Sequence, residues 1–355
     1  MTILVTGGAG FIGSNFIIEW FKLNDEPVIN LDSLTYAAGG ENLSGLGIDK
    51  YPYTFVKGDI ADSNLVLKLL KHHKVRAVIN FAAESHVDRS IDDPEIFLQT
   101  NVLGTYRLLS AALDYWKEGA SKDFVFLHIS TDEVYGDLDA VSDPFTESNA
   151  FRPNSPYAAS KASSDHIARA FYQTYGLPVI TSNCSNNYGP YQFPEKLIPL
   201  IINNALEDKQ ITVYGDGNQI RDWLYVTDHC SALMNILEAG TAGQTYNVGG
   251  NNEVKNIDVV RAICSELDNI IGRPDKKSYF ELVCHIKDRP GHDRRYAVDS
   301  SKLQQELGWL PVETFSTGLS KTIKWYLDNA DWLKESKKGN YDQWIEKQYG
   351  NSNLK

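Results

Sequence analysis

Short apolar runs and helix-period segments take turns along the first half of the chain. Residues 3–5, 28–31, 54–56, 77–81 and 124–129 are short, largely apolar runs, the pattern of strands buried on both faces. Segments 16–22, 64–72, 94–115 and 155–175 carry apolar residues at three- and four-residue spacing and read as helices. A further strand at 179–184 continues the series. The alternation predicts an α/β fold, a doubly wound parallel Rossmann-type sheet over residues 1–186. Beyond Asn186 the regularity fades into Pro-, Gly- and Tyr-rich loops at 187–194 and 289–292, with helices expected near 196–207, 227–238 and 257–272. Residues 187–333 therefore read as a smaller α/β lobe that mainly binds substrate, with segments such as 245–248 returning to the first domain. The polar tail at 334–355 is expected to be loosely held.

The first strand runs straight into Gly7-Gly8-Ala9-Gly10-Phe11-Ile12-Gly13, and a helix follows. Glycines at 7, 10 and 13 permit a tight turn, close approach of backbone N–H groups to a pyrophosphate, and close helix–strand packing. Asp32 ends the next strand 19 residues after Gly13, the spacing of a carboxylate that binds ribose hydroxyls. A carboxylate there repels a 2′-phosphate, so NAD is expected rather than NADP. Asp59 and Ile60 follow the third strand and read equally well as an adenine wall or, for Asp59, as a helix cap.

Two further clusters carry chemistry. Ser155 and Pro156 have the character of a helix start, which sets Tyr157 and Lys161 one turn apart on one face. A tyrosine with nearby positive charge can serve as a base near neutral pH. The strand 124–129 leads into Ser130-Thr131-Asp132-Glu133, which delivers two adjacent carboxyls to the edge of a parallel sheet where ligands bind. In a closed cleft such a pair splits into an acid and a base.

Charge and thiol content narrow the setting. Lys and Arg total 34 against 46 Asp and Glu, a net charge of −12, so neither nucleic acid nor an anionic membrane is an expected partner. No apolar run approaches the ~20 residues that span a bilayer. The four cysteines, at 184, 230, 264 and 284, form no C-x-x-C pair, and reduced thiols in the cytoplasm are expected. His86 and His292 have no partner at ligand spacing, so no metal is expected.

Taken together, the glycine loop, Asp32, Tyr157 with Lys161 and the Thr-Asp-Glu run resemble the extended short-chain dehydrogenase/reductase superfamily, specifically its dTDP-glucose 4,6-dehydratases. The likeness covers nearly the whole chain, including Ala82-Ala83-Glu84-Ser85-His86-Val87-Asp88-Arg89-Ser90, Asn183-Cys184-Ser185-Asn186-Asn187-Tyr188-Gly189-Pro190, Phe193-Pro194-Glu195-Lys196-Leu197-Ile198-Pro199, Gln219-Ile220-Arg221-Asp222-Trp223 and Asp288-Arg289-Pro290-Gly291-His292-Asp293. The resemblance implies that Tyr157 removes the 4-hydroxyl proton of dTDP-glucose, with Thr131 holding that hydroxyl, while hydride passes from C4 to NAD. Glu133 then takes the C5 proton, Asp132 protonates the leaving 6-hydroxyl, and hydride returns to C6. It implies NAD contacts from Phe11, Ile12, Asp32, Asp59, Ile60, Phe81, Ala82, Ala83, Ser85, Thr100, Tyr157, Lys161 and Asn187. Ser85, Thr131, Asn186, Lys196, Leu197, Tyr214, Arg221, Asn256, Asp288, Arg289 and His292 would face the substrate. A homodimer and a place in deoxysugar (rhamnose-type) synthesis are implied too. The alternatives are a sugar 4-epimerase, which is not expected to carry the Asp-Glu pair, a dehydratase of UDP- or CDP-glucose, and a non-catalytic nucleotide sensor. The run Tyr36-Ala37-Ala38-Gly39-Gly40 departs from the family's frequent Tyr-Ala-Gly-Asn, as does the stretch Asn252-Glu253-Val254-Lys255 before Asn256.

Overall fold

The computed structural model describes residues 1–38, 42–43 and 50–350; Gly39, Gly40 and the last five residues of the tail lie outside the described residues. In chain order its strands are β1 (Thr2–Thr6), β2 (Val28–Asp32), β3 (Tyr53–Lys57), β4 (Val75–Asn80), β5 (Val125–Thr131), β6 (Val179–Cys184), β7 (Asn186–Tyr188), β8 (Ile211–Tyr214), β9 (Ile220–Tyr225), β10 (Thr245–Val248), β11 (Glu253–Lys255), β12 (Val283–Ile286) and β13 (Arg295–Tyr296). A parallel seven-stranded sheet has the order β10-β6-β5-β4-β1-β2-β3. The segment 245–248 thus joins the first domain's sheet as its outermost strand, pairing in parallel with β6.

Alternate side chains of each strand feed two cores. Ile3, Val5, Ile79 and Leu127 pack with Phe16, Ile17 and Trp20 on one face, while Leu4, Val78 and Phe126 pack with Leu108, Leu109 and Phe171 on the other. Full burial of each such side chain contributes roughly 1.5–3 kcal/mol, so the sheet is the rigid part of the molecule. Strand order reverses between β1 and β4. Sheets of this kind take their ligands beyond the strands' C-terminal ends at such a reversal. A third core gathers Tyr188, Ile201, Trp223, Val260 and Ile323 around β9, which pairs with β7, β11 and β13.

Two expectations change. The segment expected as one helix over 94–115 is helical at Pro94–Phe97, widens into a π-helix at Leu98–Gly104 and becomes α-helical again at Thr105–Lys117. A Cβ at Gly104 would stand 3.0 Å from Ile60 Cδ1, so the widened turn passes close against that side chain. The tail is docked: helices Ala330–Ser336 and Tyr341–Tyr349 bury Leu333, Tyr341 and Trp344. Sparse apolar residues suffice because they fall on one side of these helices.

Candidate active site

The glycine loop leaves no room for side chains. A Cβ at Gly13 would lie 2.3 Å from Gly7 O, one at Gly7 2.7 Å from Ala82 N, and Gly7 itself has φ +68°. Phe11 and Ile12 open the helix behind the loop. The Asp32 carboxylate accepts hydrogen bonds from Ala9 N (2.9 Å) and Leu34 N (2.8 Å), so it stands at the lip of the loop. Burial raises its pKa and these two donors oppose the rise. Asp59 accepts from Ala61 N at 2.8 Å, while Asp62 caps the helix Ser63–His73, which removes the cap reading for Asp59. The 81–85 stretch is anchored by Asn101, whose side chain bonds Glu84 N and O, each at 2.9 Å, next to Thr100 in the π-turn. Asn187 accepts from His229 Nδ1 at 2.9 Å. Loop, Asp32, Asn101-held stretch and Asn187 all lie at or just past the C-terminal ends of parallel strands β1, β2, β4 and β6, the edge at which such sheets take a dinucleotide.

The acid pair and Tyr157 meet beyond β5. Ser155 caps the helix Pro156–Tyr175 by accepting from Ala158 N at 3.0 Å, worth ~1 kcal/mol. The ring of Tyr157 is buried against Val87 and Phe97. Its proton affinity is pushed up, first by burial, then by Glu133 and Cys184, and the Thr131 hydroxyl works the other way through a hydrogen bond. Lys161 Nζ donates to Ile129 O at 2.8 Å and so sits under the sheet end. Asp132 is 1% exposed, with one carboxylate oxygen lacking a partner. Burial, Glu133 and Asp222 push its pKa well above the usual range. Burial raises Glu133 too, but Arg289, Arg221 and Lys196 pull it back. Both carboxyls are thus shifted upward, Asp132 the further, because the cations that lessen the rise act mainly on Glu133.

Those cations form the far wall. Arg289 Nη1 binds Asp88 Oδ1 at 2.8 Å, and Asp88 Oδ2 accepts from Tyr214 OH at 3.1 Å. Arg221 lies over the Tyr296 ring at 4.2 Å and donates to Asp293 O at 2.9 Å. Lys196 Nζ donates to Ser85 O at 2.7 Å. His292 lies 2.6 Å from Asp288 Oδ1 and edge-on to Tyr214. Arg289 Nε, Asn186 Oδ1 and Asn256 Oδ1 are buried without hydrogen-bond partners among the described residues, a donor and two acceptors left open. Leu197 stands apart from this polar set, packed against the third core as the first residue of its helix.

Several residues here carried no signal as single positions. Asp88 and Glu195 are lone carboxylates in the sequence, yet Glu195 accepts from Arg89 Nε (2.9 Å) and Tyr36 OH (3.0 Å). The Arg89 guanidinium lies between the rings of Tyr36 (3.8 Å) and Trp344 (4.2 Å). Tyr349 from the tail reaches Asp88 at 3.3 Å beside Tyr214. Only their convergence in space marks them.

The chain is similar to known proteins over nearly its whole length. The sequence pattern described as GDP-mannose 4,6 dehydratase matches residues 4–322. The dTDP-glucose 4,6-dehydratase of Escherichia coli is 54% identical over 360 residues, covering 98% of this chain and 99% of that one. The solved structure of DesIV, a dTDP-glucose 4,6-dehydratase from Streptomyces venezuelae with NAD bound, superposes with a TM-score of 0.87 at 43% identity, over 95% and 100% of the two chains. A UDP-glucose 4-epimerase of Thermus thermophilus in complex with NAD is 28% identical with a TM-score of 0.80, over 93% and 100%.

Proposed function

This chain belongs to the GDP-mannose 4,6 dehydratase family, and on that footing we propose that it is an NAD-dependent dTDP-glucose 4,6-dehydratase that makes dTDP-4-keto-6-deoxy-glucose and water. The observation that carries the reading is the carboxylate pair Asp132 and Glu133 just past β5, both near enough to raise the proton affinity of Tyr157. The glycine loop and Asp32 would hold NAD, with Asp59, Ile60, Thr100 and Asn187 at the same edge of the sheet. Bound there, NAD supplies the hydride acceptor at C4, the hydride donor at C6, and a positive charge near Tyr157.

Tyr157 takes the proton of the 4-hydroxyl, which Thr131 helps to hold. The resulting ketone acidifies C5, and Glu133 removes that proton, the rise that burial gives its pKa being lessened by three cations. Asp132, kept protonated by burial and by its acidic neighbours, delivers a proton to the 6-hydroxyl so that water leaves. Lys196, Arg221 and Arg289 neutralise the pyrophosphate, and Tyr214 offers a ring to the base.

The finer assignments follow from surfaces and thiols. Ile96, Leu98, Leu103 and Tyr106 are exposed along 94–117, and Tyr175 ends the neighbouring helix exposed as well, which supports a homodimer through these segments. Cys184, Cys230, Cys264 and Cys284 are all free thiols, which suits a cytoplasmic enzyme, and no helix among the described residues is long and apolar enough to cross a membrane. The product serves deoxysugar formation of the rhamnose type.

The test is product analysis by mass spectrometry and NMR after incubation with dTDP-, UDP- and CDP-glucose in D₂O. Loss of water from dTDP-glucose with deuterium at C5 is expected. A product with its 6-hydroxyl intact and inverted C4 would make the chain an epimerase, and faster turnover of the UDP or CDP sugar would move the base assignment.

A further inference from the structure

Lys161 has a buried acidic neighbour that the reaction does not consume. Asp165 follows it by one turn on the same helix and is 4% exposed. Its Oδ2 accepts from Ser130 Oγ at 2.8 Å and from Asn183 Nδ2 at 3.1 Å, and its Oδ1 lies 3.2 Å from His128 Nε2. Asn183 Nδ2 also donates to Thr131 O at 3.1 Å. One carboxylate therefore gathers two residues of β5, one of β6 and, through Asn183, the backbone of Thr131.

His128 does not cancel that charge. Its Nδ1 is 3.3 Å from the Asn80 amide nitrogen, and Asn80 Oδ1 is already taken by the Thr6 hydroxyl at 2.7 Å. The ring nitrogen must then accept, which leaves the imidazole proton on Nε2, where Ser164 Oγ stands at 3.2 Å and Asp165 Oδ1 at the same distance. Burial and the Lys161 charge both hold this histidine neutral. The charged and titratable groups around Lys161 are Tyr157 and Asp165 on its own helix, His128 on β5, Asp132 and Glu133 just past β5, and Cys184 closing β6. Burial favours loss of the lysine proton, whereas Asp165 and Cys184 oppose it. The Cys184 thiol is itself pushed up to about 12 and so stays neutral near pH 8. On its far side Asp165 borders a cavity of about 230 Å³ lined also by Glu147, His166, Arg169 and Tyr172.

We propose that Asp165 is the positioning residue of the Tyr157–Lys161 pair: its carboxylate keeps Lys161 an ammonium and pins the strand end that presents Thr131, Asp132 and Glu133. The proposal rests on the dehydratase reading above, in which Tyr157 must release its proton beside a cation. A neutral Lys161 would supply no field, and a sheet end freed from Asn183 would let the acid pair drift from the sugar.

Two variants separate charge from scaffold. Asp165→Asn removes the charge at nearly constant volume, and Ser130→Ala removes a hydrogen bond to the same oxygen while leaving the charge. Each is loaded with NAD and mixed with dTDP-glucose, and the first-turnover absorbance at 340 nm is followed across pH, alongside thermal unfolding. That signal precedes elimination, so the role of Asp132 as proton donor does not enter it. Asp165→Asn is expected to slow the first turnover by ~10-fold or more at pH 8 and to move the alkaline limb of the profile down by about one pH unit, with KM within about twofold. Ser130→Ala should lose a comparable amount of Tm, yet keep the limb in place and the rate within about threefold. An Asp165→Asn limb that stays at the wild-type position, or a Ser130→Ala limb that moves equally, overturns the proposal. Wild-type enzyme that forms no 4-keto-6-deoxy product from dTDP-glucose strikes the dehydratase reading instead, and a wild type that forms it keeps the two failures distinct.

Discussion

Replacing Glu133 by Gln removes a charge from the centre of the site while changing almost nothing in shape. The side chain is held among Arg289, Arg221 and Lys196, and its backbone N–H still donates to Thr131 Oγ1 at 3.3 Å, so the turn that carries it should survive. The first chemical step uses Tyr157 and does not need Glu133; the C5 proton does. Asp132 cannot take over, because it must arrive at the same step carrying its own proton. Loss of a general base costs ~10²–10⁴ in rate, which is ~2.7–5.4 kcal/mol of transition-state stabilisation. Overall turnover should fall by that factor while absorbance at 340 nm still rises, and the 4-keto-glucose nucleotide should accumulate. The substitution also removes a negative neighbour that raises the Asp132 pKa. The protonated form of Asp132 is the useful one, so the residual elimination should lose its alkaline limb at lower pH than in wild type. Stopped-flow absorbance, quench and mass spectrometry in D₂O measure all three. Turnover of Glu133→Gln at the wild-type rate, or undiminished deuterium entry at C5, would refute the assignment of the base.

Tyr157→Phe should leave the fold and the bound NAD intact and give a flat first-turnover trace at 340 nm, since it removes only the phenolic oxygen; a normal trace would mean another base serves the 4-hydroxyl. Gly13→Ala puts a Cβ 2.3 Å from Gly7 O and 2.8 Å from Gly8 Cα, both backbone atoms, so the purified protein should come without NAD by mass spectrometry of the denatured supernatant. Trp344→Ala takes one ring from the Arg89 sandwich and loosens the helix that brings Tyr349 to Asp88; with a cation–π contact worth ~0.5–2 kcal/mol, KM for dTDP-glucose should rise ~2–30-fold with kcat less affected, as steady-state assays would read.

What the amino-acid order decided by itself is whatever depends on near neighbours in the chain. Alternating apolar runs and helix-period segments dictate the β-α succession, and a glycine loop between strand and helix with Asp32 one strand later specifies a dinucleotide cradle. Tyr157 and Lys161 share a helix face, and Asp132 adjoins Glu133, because spacing alone requires it. The different fates of those two carboxyls were not legible there. They depend on Asp222, reached across the fold, and on Arg221, Arg289 and Lys196, which come from three separate segments of the second lobe. The π-turn at Leu98–Gly104 answers to Gly104 passing Ile60, a contact 44 residues apart in the chain. The docked tail is the same case: its residues are polar on average, and their anchors lie far away in the chain, Arg89 and His86 against Trp344, Phe193 against Tyr341 and Asp88 for Tyr349. Electrostatic fields and ring stacking act through space and fall off with distance, so the partners that set them are chosen by tertiary packing and leave no local period in the sequence.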